Sequence, residues 1–201
     1  MIPADPVVVI APYRLIDGRP ESPSYGSAAF RAEVGGWFRD LGLPWVWEPV
    51  VLDPAHPRHV VRRLEAHPPG TLFLNLCDGA EDDGDGFPGL SVVRALEAQG
   101  RDFTGADAAF YELSTSKLRM KRAMRRGRIP TAAWLELRGS ADVADAESIG
   151  FPLMVKPEIS AASLGINCRS RVETPAELRA QVEWLRGGGH DPSVAHGAPK
   201  S

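Results

Sequence analysis

Residues 150–166 read GFPLMVKPEISAASLGI. An apolar run leads into Lys156, Pro157 follows, and a small-residue loop, Ser160-Ala161-Ala162-Ser163-Leu164, closes on Gly165. A lysine ending an apolar strand is costly to bury unless its ammonium reaches water or an anion. Small residues let backbone N–H groups come close to a phosphate, as anion-binding nests do. The stretch reads either as a strand followed by a phosphate clamp or as a strand whose lysine leaves the sheet at a turn. Spacing alone favours the turn slightly.

Around this stretch the text is of mixed type. TAAWLEL (131–137), FPLMVK (151–156) and GINCRS (165–170) are strand-like. TPAELRAQVEWL (174–185) opens as a helix, with Thr174 as N-cap, Pro175 in the first turn and Glu177 three residues after the cap. An α+β unit with antiparallel strands is expected. Upstream, DAAFYEL and STSKLRMKRAMRRG are helical, and Thr115 is the expected cap of the second of these. Lys117 then lies in a first turn, where the helix dipole is already positive. A nearby phosphate would make sense of it; a solvated surface lysine is the plain alternative.

The first hundred residues have another texture. VVVIA (7–11) reads as a strand buried on both faces, followed by a Pro-, Gly- and Ser-rich loop through Tyr25. Phe30, Val34, Trp37, Phe38 and Leu41 recur at helical spacing, and Gly42 closes the helix. WVWEPVVL (45–52) is a strand that Pro49 places near an edge or bulge. Asp53 is a candidate cap for a short helix carrying Val60, Val61 and Leu64. TLFLN (71–75) is a third strand, and Leu90, Val93 and Leu96 mark a helix ending at Gly100. Alternation of strand and helix predicts a parallel sheet with helices on its faces.

Composition narrows the function classes. The 201 residues carry 23 basic and 26 acidic side chains, a net charge of −3. Nothing global draws the chain to nucleic acid or an anionic membrane. Two cysteines, Cys77 and Cys168, make no disulfide framework, and the N-terminus shows no signal or membrane segment. A cytoplasmic protein is expected. Lys117, Arg119, Lys121, Arg122, Arg125, Arg126 and Arg128 form a basic run, but no aromatic residue interleaves for stacking, so a solvated face is the favoured reading. The acidic loop CDGAEDDGDG (77–86) fails the calcium template. It follows the third strand, where open α/β sheets place ligands, and reads as substrate-side or as a mobile turn. His190 and His196 have no neighbouring ligand set, and no metal site is assigned. The dinucleotide, Walker and nucleophile-elbow motifs are absent.

Three segments together resemble the ATP-grasp superfamily, most closely its D-alanine–D-alanine ligase branch. LFLNLCDGAEDDGDGFPGLSVVRALEAQGRDFTGAD (72–107) is similar to that family's strand, acidic glycine loop and helix. YELSTSKLRMKRAMRRGRIPTAAWLEL (111–137) resembles its lysine helix, and GFPLMVKPEISAASLGINCRSRVETPAEL (150–178) its strand, lysine, proline and glycine-closed loop. The likeness covers residues 71 to 186 well and the first 70 only in general layout. It implies a Rossmann-like pre-ATP-grasp domain over 1–112, a first ATP-grasp subdomain over 113–186, and a disordered tail over 187–201, with the C-terminal half of the fold missing.

The resemblance also implies that Lys117 and Lys156 bind ATP phosphates, with Ser160, Ala161, Ala162, Ser163 and Gly165 in the loop over the γ-phosphate. Magnesium ligands would lie in the missing half. The implied activity is ATP-dependent joining of a small carboxylate or amino acid to an amine through an acyl phosphate. Weak nucleotide binding without ligation is expected of these 201 residues, and the catalytic residues are unassigned. Ala161 stands where the family pattern has glycine, and YRLIDGRPESPSYG replaces the family's N-terminal substrate motif. A non-catalytic nucleotide-binding or interaction module, with a possible homodimer, is the alternative.

Overall fold

The computed structural model describes residues 5–52, 59–79, 81, 86–139, 142–160 and 165–188. Strand β1 (Val7–Ile16) explains the first unit. Its side chains alternate between two cores, as the two-residue period of a strand requires. Val8 and Ile10 pack with Val50, Phe73, Val92 and Leu96, whereas Val7 and Val9 pack with Val34 and Phe38. Both faces are covered along Val7–Ala11, so that part of the strand is apolar without interruption.

β1 lies between two parallel neighbours, β3 (Trp45–Val51) and β4 (Leu72–Asn75), and β5 (Asp102–Phe103) continues beyond β4. The connecting helices are α1 (Ala28–Leu41), α2 (His59–Glu65) and α3 (Leu90–Ala98). The expected parallel α/β layer is present. Pro49 falls on a strand that pairs only with β1 among the described residues, so its missing donor is tolerated. Helix α1 starts where the Ser27 side chain accepts from the Phe30 N–H. It ends at Gly42, φ 67°, with the Leu43 N–H bonded back to Phe38 C=O at 2.9 Å. Asp53 lies outside the described residues.

One expectation is overturned at the end of β1. The loop expected after Ala11 is instead a continuation of the strand, through Pro12 to Ile16, which turns and pairs antiparallel with β2 (Arg19–Glu21). The turn is Asp17-Gly18, both with positive φ (50° and 76°), the two-residue geometry that favours Asp-Gly. Pro12 is tolerated for a local reason. Ile10 C=O points at β4, accepting from the Leu76 N–H at 2.9 Å, so Pro12 faces the same side two residues on, where pairing with β4 has ended.

Backbone packing separates a second compact unit from Leu113 onward. Helix α4 (Ala108–Thr115) carries the boundary, and α5 (Lys117–Arg126) follows one residue later. A short helix α6 (Val143–Ala146), an antiparallel pair β6 (Leu153–Met154) and β7 (Arg171–Val172), and helix α7 (Pro175–Arg186) complete the unit. Their core is Val143, Ala146, Val172, Leu178 and Val182. Thr174 caps α7 through the Glu177 N–H, while the Glu177 carboxylate reaches back to the Glu173 N–H rather than to the cap itself.

The strands of this unit are shorter than expected. Only two residues of 151–156 are in a strand, and residues 168–170 form a 3-10 turn before β7. Residues 131–137 form no strand. Side chains of α5 bind that segment instead: Lys121 donates to Thr131 and to Ala132 C=O, Arg122 pairs with Glu136, and Arg125 lies over the Trp134 ring. These contacts also settle what several cations of the basic run do, since they fasten the chain's own next segment. The tail expected to be disordered lies, from residue 189, outside the described residues.

Candidate functional site

The second unit gathers its amines at the start of α5. Ser116, and not Thr115, is the N-cap, because Thr115 still belongs to α4. The Ser116 hydroxyl accepts from the Arg119 N–H at 3.2 Å and donates to the Glu158 carboxylate at 2.8 Å. Ser116 is nearly fully buried. Residue 116 also forms an antiparallel bridge with Ile159, and the Lys117 N–H donates to Glu158 C=O at 3.1 Å. The first turn of α5 is thus stitched to the segment that follows β6.

That stitching brings sequence-distant groups together. The Lys117 ammonium donates to Ser160 Oγ at 2.7 Å. Burial, and then the like charge of Lys156, hold Lys117 below the ordinary lysine pKa. Lys156 itself is exposed. The structure therefore places two cations and a hydroxyl in one neighbourhood. A group of negative charges arriving there would relieve the repulsion between the amines and favour the protonated form of Lys117. Ala161, Ala162 and Ser163 lie outside the described residues.

Gly165, at the far end of that loop, is held by geometry. Its φ is 73°, and a Cβ there would meet Pro157 Cγ at 2.7 Å and Leu185 at 3.2 Å. Left-handed backbone suits glycine and strains any other residue. Gly165→Ala is expected to lower unfolding free energy by about 1–3 kcal/mol, measured by urea denaturation against the parent chain.

In the first unit the residues of interest lie at the carboxyl edge of the parallel sheet. Tyr25 donates to the Asp78 carboxylate at 3.3 Å. Burial, reinforced by that carboxylate, pushes the Tyr25 pKa up to about 12. Cys77 is buried, and its thiol is driven strongly upward by burial and then by Asp78 and Glu81, so it is no nucleophile at neutral pH. Glu81 is tied to the start of α3. Its carboxylate accepts from the Gly89 and Ser91 N–H groups at 3.1 and 2.6 Å, which caps α3 where the Gly89 cap has no side chain to do so. Asp82, Asp83 and Asp85 lie outside the described residues.

No protein-family model matches the chain. Among curated proteins, it is 30% identical over 146 residues to the D-alanine–D-alanine ligase of Acidovorax ebreus (strain TPSY), covering 71% of this chain and 39% of that protein. It is 37% identical over 107 residues to the D-alanine–D-alanine ligase of Halorhodospira halophila (strain DSM 244 / SL1), covering 53% of this chain and 32% of that protein. The chain is a relative of the D-alanine–D-alanine ligases. A solved structure of D-alanine–D-alanine ligase from Bacillus anthracis aligns with TM-score 0.47 and 19% identity over 79% of this chain and 47% of that one.

The matched stretches cover well under half the length of those two curated proteins. Sequence reading singled out Lys117, Lys156 and Ser160 but missed Ser116 and Glu158. The available signal was the serine directly before Lys117, a cap residue one position nearer the helix than Thr115. The partner of that serine, Glu158, is 42 residues away, and no local pattern points to it. Among the described residues no three His, Cys, Asp or Glu side chains converge on a point that could hold a metal ion. No helix among them is long and apolar enough to cross a membrane.

Proposed function

We propose that Lys117, Lys156 and Ser160 form part of the phosphate site of an ATP-dependent carboxylate–amine ligase of the D-alanine–D-alanine type. The observation that carries the reading is the proximity of Lys117 to both Ser160 and Lys156, in a chain 30–37% identical to ligases of that name. Two ammonium groups and a hydroxyl suit a polyphosphate, whose charge they balance before and during transfer. In the reaction, a substrate carboxylate oxygen bonds the γ-phosphorus as the bond to the β-phosphate oxygen breaks, releasing ADP. An amine nitrogen then attacks the acyl carbon, phosphate leaves, and the nitrogen gives up a proton. Lys117 and Lys156 hold the oxygens that carry charge through the first step. Among the described residues no group of three His, Cys, Asp or Glu side chains could hold magnesium.

Calorimetric titration of the 201-residue chain with ATP and magnesium tests the proposal. Saturable binding is expected, weakened by Lys156→Ala. A chain that takes up neither ATP nor inorganic triphosphate would sink the phosphate-site reading. Phosphate release with amino-acid pairs, measured in parallel, tests the ligation step separately.

A further inference from the structure

Glu158 holds two consecutive residues by two different groups. Its carboxylate accepts from the Ser116 hydroxyl, and its main-chain carbonyl accepts from the Lys117 N–H. Alternate residues on either side serve the same place, since Ser160 takes the Lys117 ammonium and Lys156 lends its charge. Pro157, between them, faces Gly165 instead. A carboxylate beside a prospective phosphate site repels the ligand by its charge, so its presence there calls for a structural reason. Here it is bonded to the buried Ser116, which at the same time caps α5.

We infer that Glu158 is a positioning residue: acting through Ser116, it fixes the first turn of α5 against residues 158–160 and so keeps the Lys117 ammonium beside Ser160 and Lys156. The role in nucleotide binding rests on the phosphate-site reading above, whereas the placement of Lys117 can be measured without any nucleotide. The hydrogen bond needs an acceptor, not a charge, so glutamine can replace glutamate where alanine cannot. A bond to a charged group buried at one end contributes enough that its loss shifts an equilibrium about tenfold.

The test uses the full chain with Glu158→Ala, Glu158→Gln, Ser116→Ala and the double alanine variant. Two readouts are followed, titration of the Lys117 side chain by NMR without ligand and calorimetric affinity for ATP with magnesium. Among the described residues Lys117 faces Lys156, Ser160 and the main chain of Glu158, so freeing the first turn should bring its pKa back toward the ordinary lysine value. The expected result is that shift in Glu158→Ala and Ser116→Ala, with ATP bound about tenfold more weakly. The double variant should be little worse than either single one, and Glu158→Gln should restore most of both effects. An unchanged Lys117 titration in Glu158→Ala, or a Glu158→Gln as impaired as the alanine, would overturn the positioning role. A Lys117 shift in a chain that binds no ATP would support that role and overturn the nucleotide reading.

Discussion

Gly89→Ala is expected to lower the stability of the first unit by about 3 kcal/mol or more, a large share of the total for a domain this size. A Cβ at residue 89 would stand 1.9 Å from Gly79 C=O and 2.4 Å from the Tyr111 hydroxyl. Neither can retreat easily. Residues 79 and 89 bridge each other, the Gly79 N–H donates to Pro88 C=O at 3.0 Å, and Tyr111 donates to that same Gly79 carbonyl at 2.8 Å. Moving the Gly89 backbone aside would also displace its N–H from the Glu81 carboxylate, uncapping α3. The effect is local crowding rather than any general intolerance of alanine, and Gly36 provides the control. It lies inside α1 with open space where its Cβ would go, so Gly36→Ala should stabilise by about 0.5–1 kcal/mol. Urea denaturation of the two variants beside the parent separates these outcomes. Near-equal midpoints would show that the Gly79–Gly89 crossing is looser than drawn.

Lys117→Met is expected to weaken ATP binding by roughly 10- to 100-fold, the loss of a hydrogen bond from a charged donor to a charged acceptor. The same residue sets a pH dependence. Burial and the Lys156 charge lower its pKa in the folded chain, so the folded state binds fewer protons than the unfolded state between that lowered value and the ordinary lysine range. Stability therefore gains from this group as pH rises through that window, the penalty on the charged form being fully present below it. At the proposed phosphate site nucleotide binding should run the other way, because only the protonated amine pairs with phosphate. ATP affinity of the parent should fall as pH climbs toward the lysine range, beginning before an ordinary lysine would titrate. Lys117→Met should flatten the early part of that fall. Calorimetry across a pH series reads both trends, and a parent whose affinity holds constant up to the ordinary lysine pKa would refute the coupling.

The elements were legible where their signals were local. A buried β-branched run marked β1, a short apolar run marked β4, and helical spacing with Gly42 marked α1. Thr174-Pro175 marked the start of α7. Misreadings came where a local rule met a distant neighbour. Pro12 suggested an end to β1, yet the strand runs on because β4 has already stopped beside it. TAAWLEL has strand-like alternation, yet it finds side-chain partners on α5 and no backbone ladder. Asp17-Gly18 lies inside the stretch read as a loop, and only pairing with β2 shows it to be a hairpin turn.

By itself the sequence determined what depends on neighbours a few residues apart: the alternation of β1, α1, β3, α2, β4 and α3, the Gly42 end of α1, the Thr174 cap of α7, and a lysine in the first turn of α5. Tertiary structure alone decided that this lysine meets Lys156, that Glu81 caps a helix, and that Glu158 holds Ser116. Each of these joins groups that are far from adjacent in the chain, from 8 residues apart for Glu81 and Gly89 to 42 for Ser116 and Glu158. Such pairings are set by how sheet and helices pack, and that packing is settled by buried surface over the whole unit rather than by any short pattern.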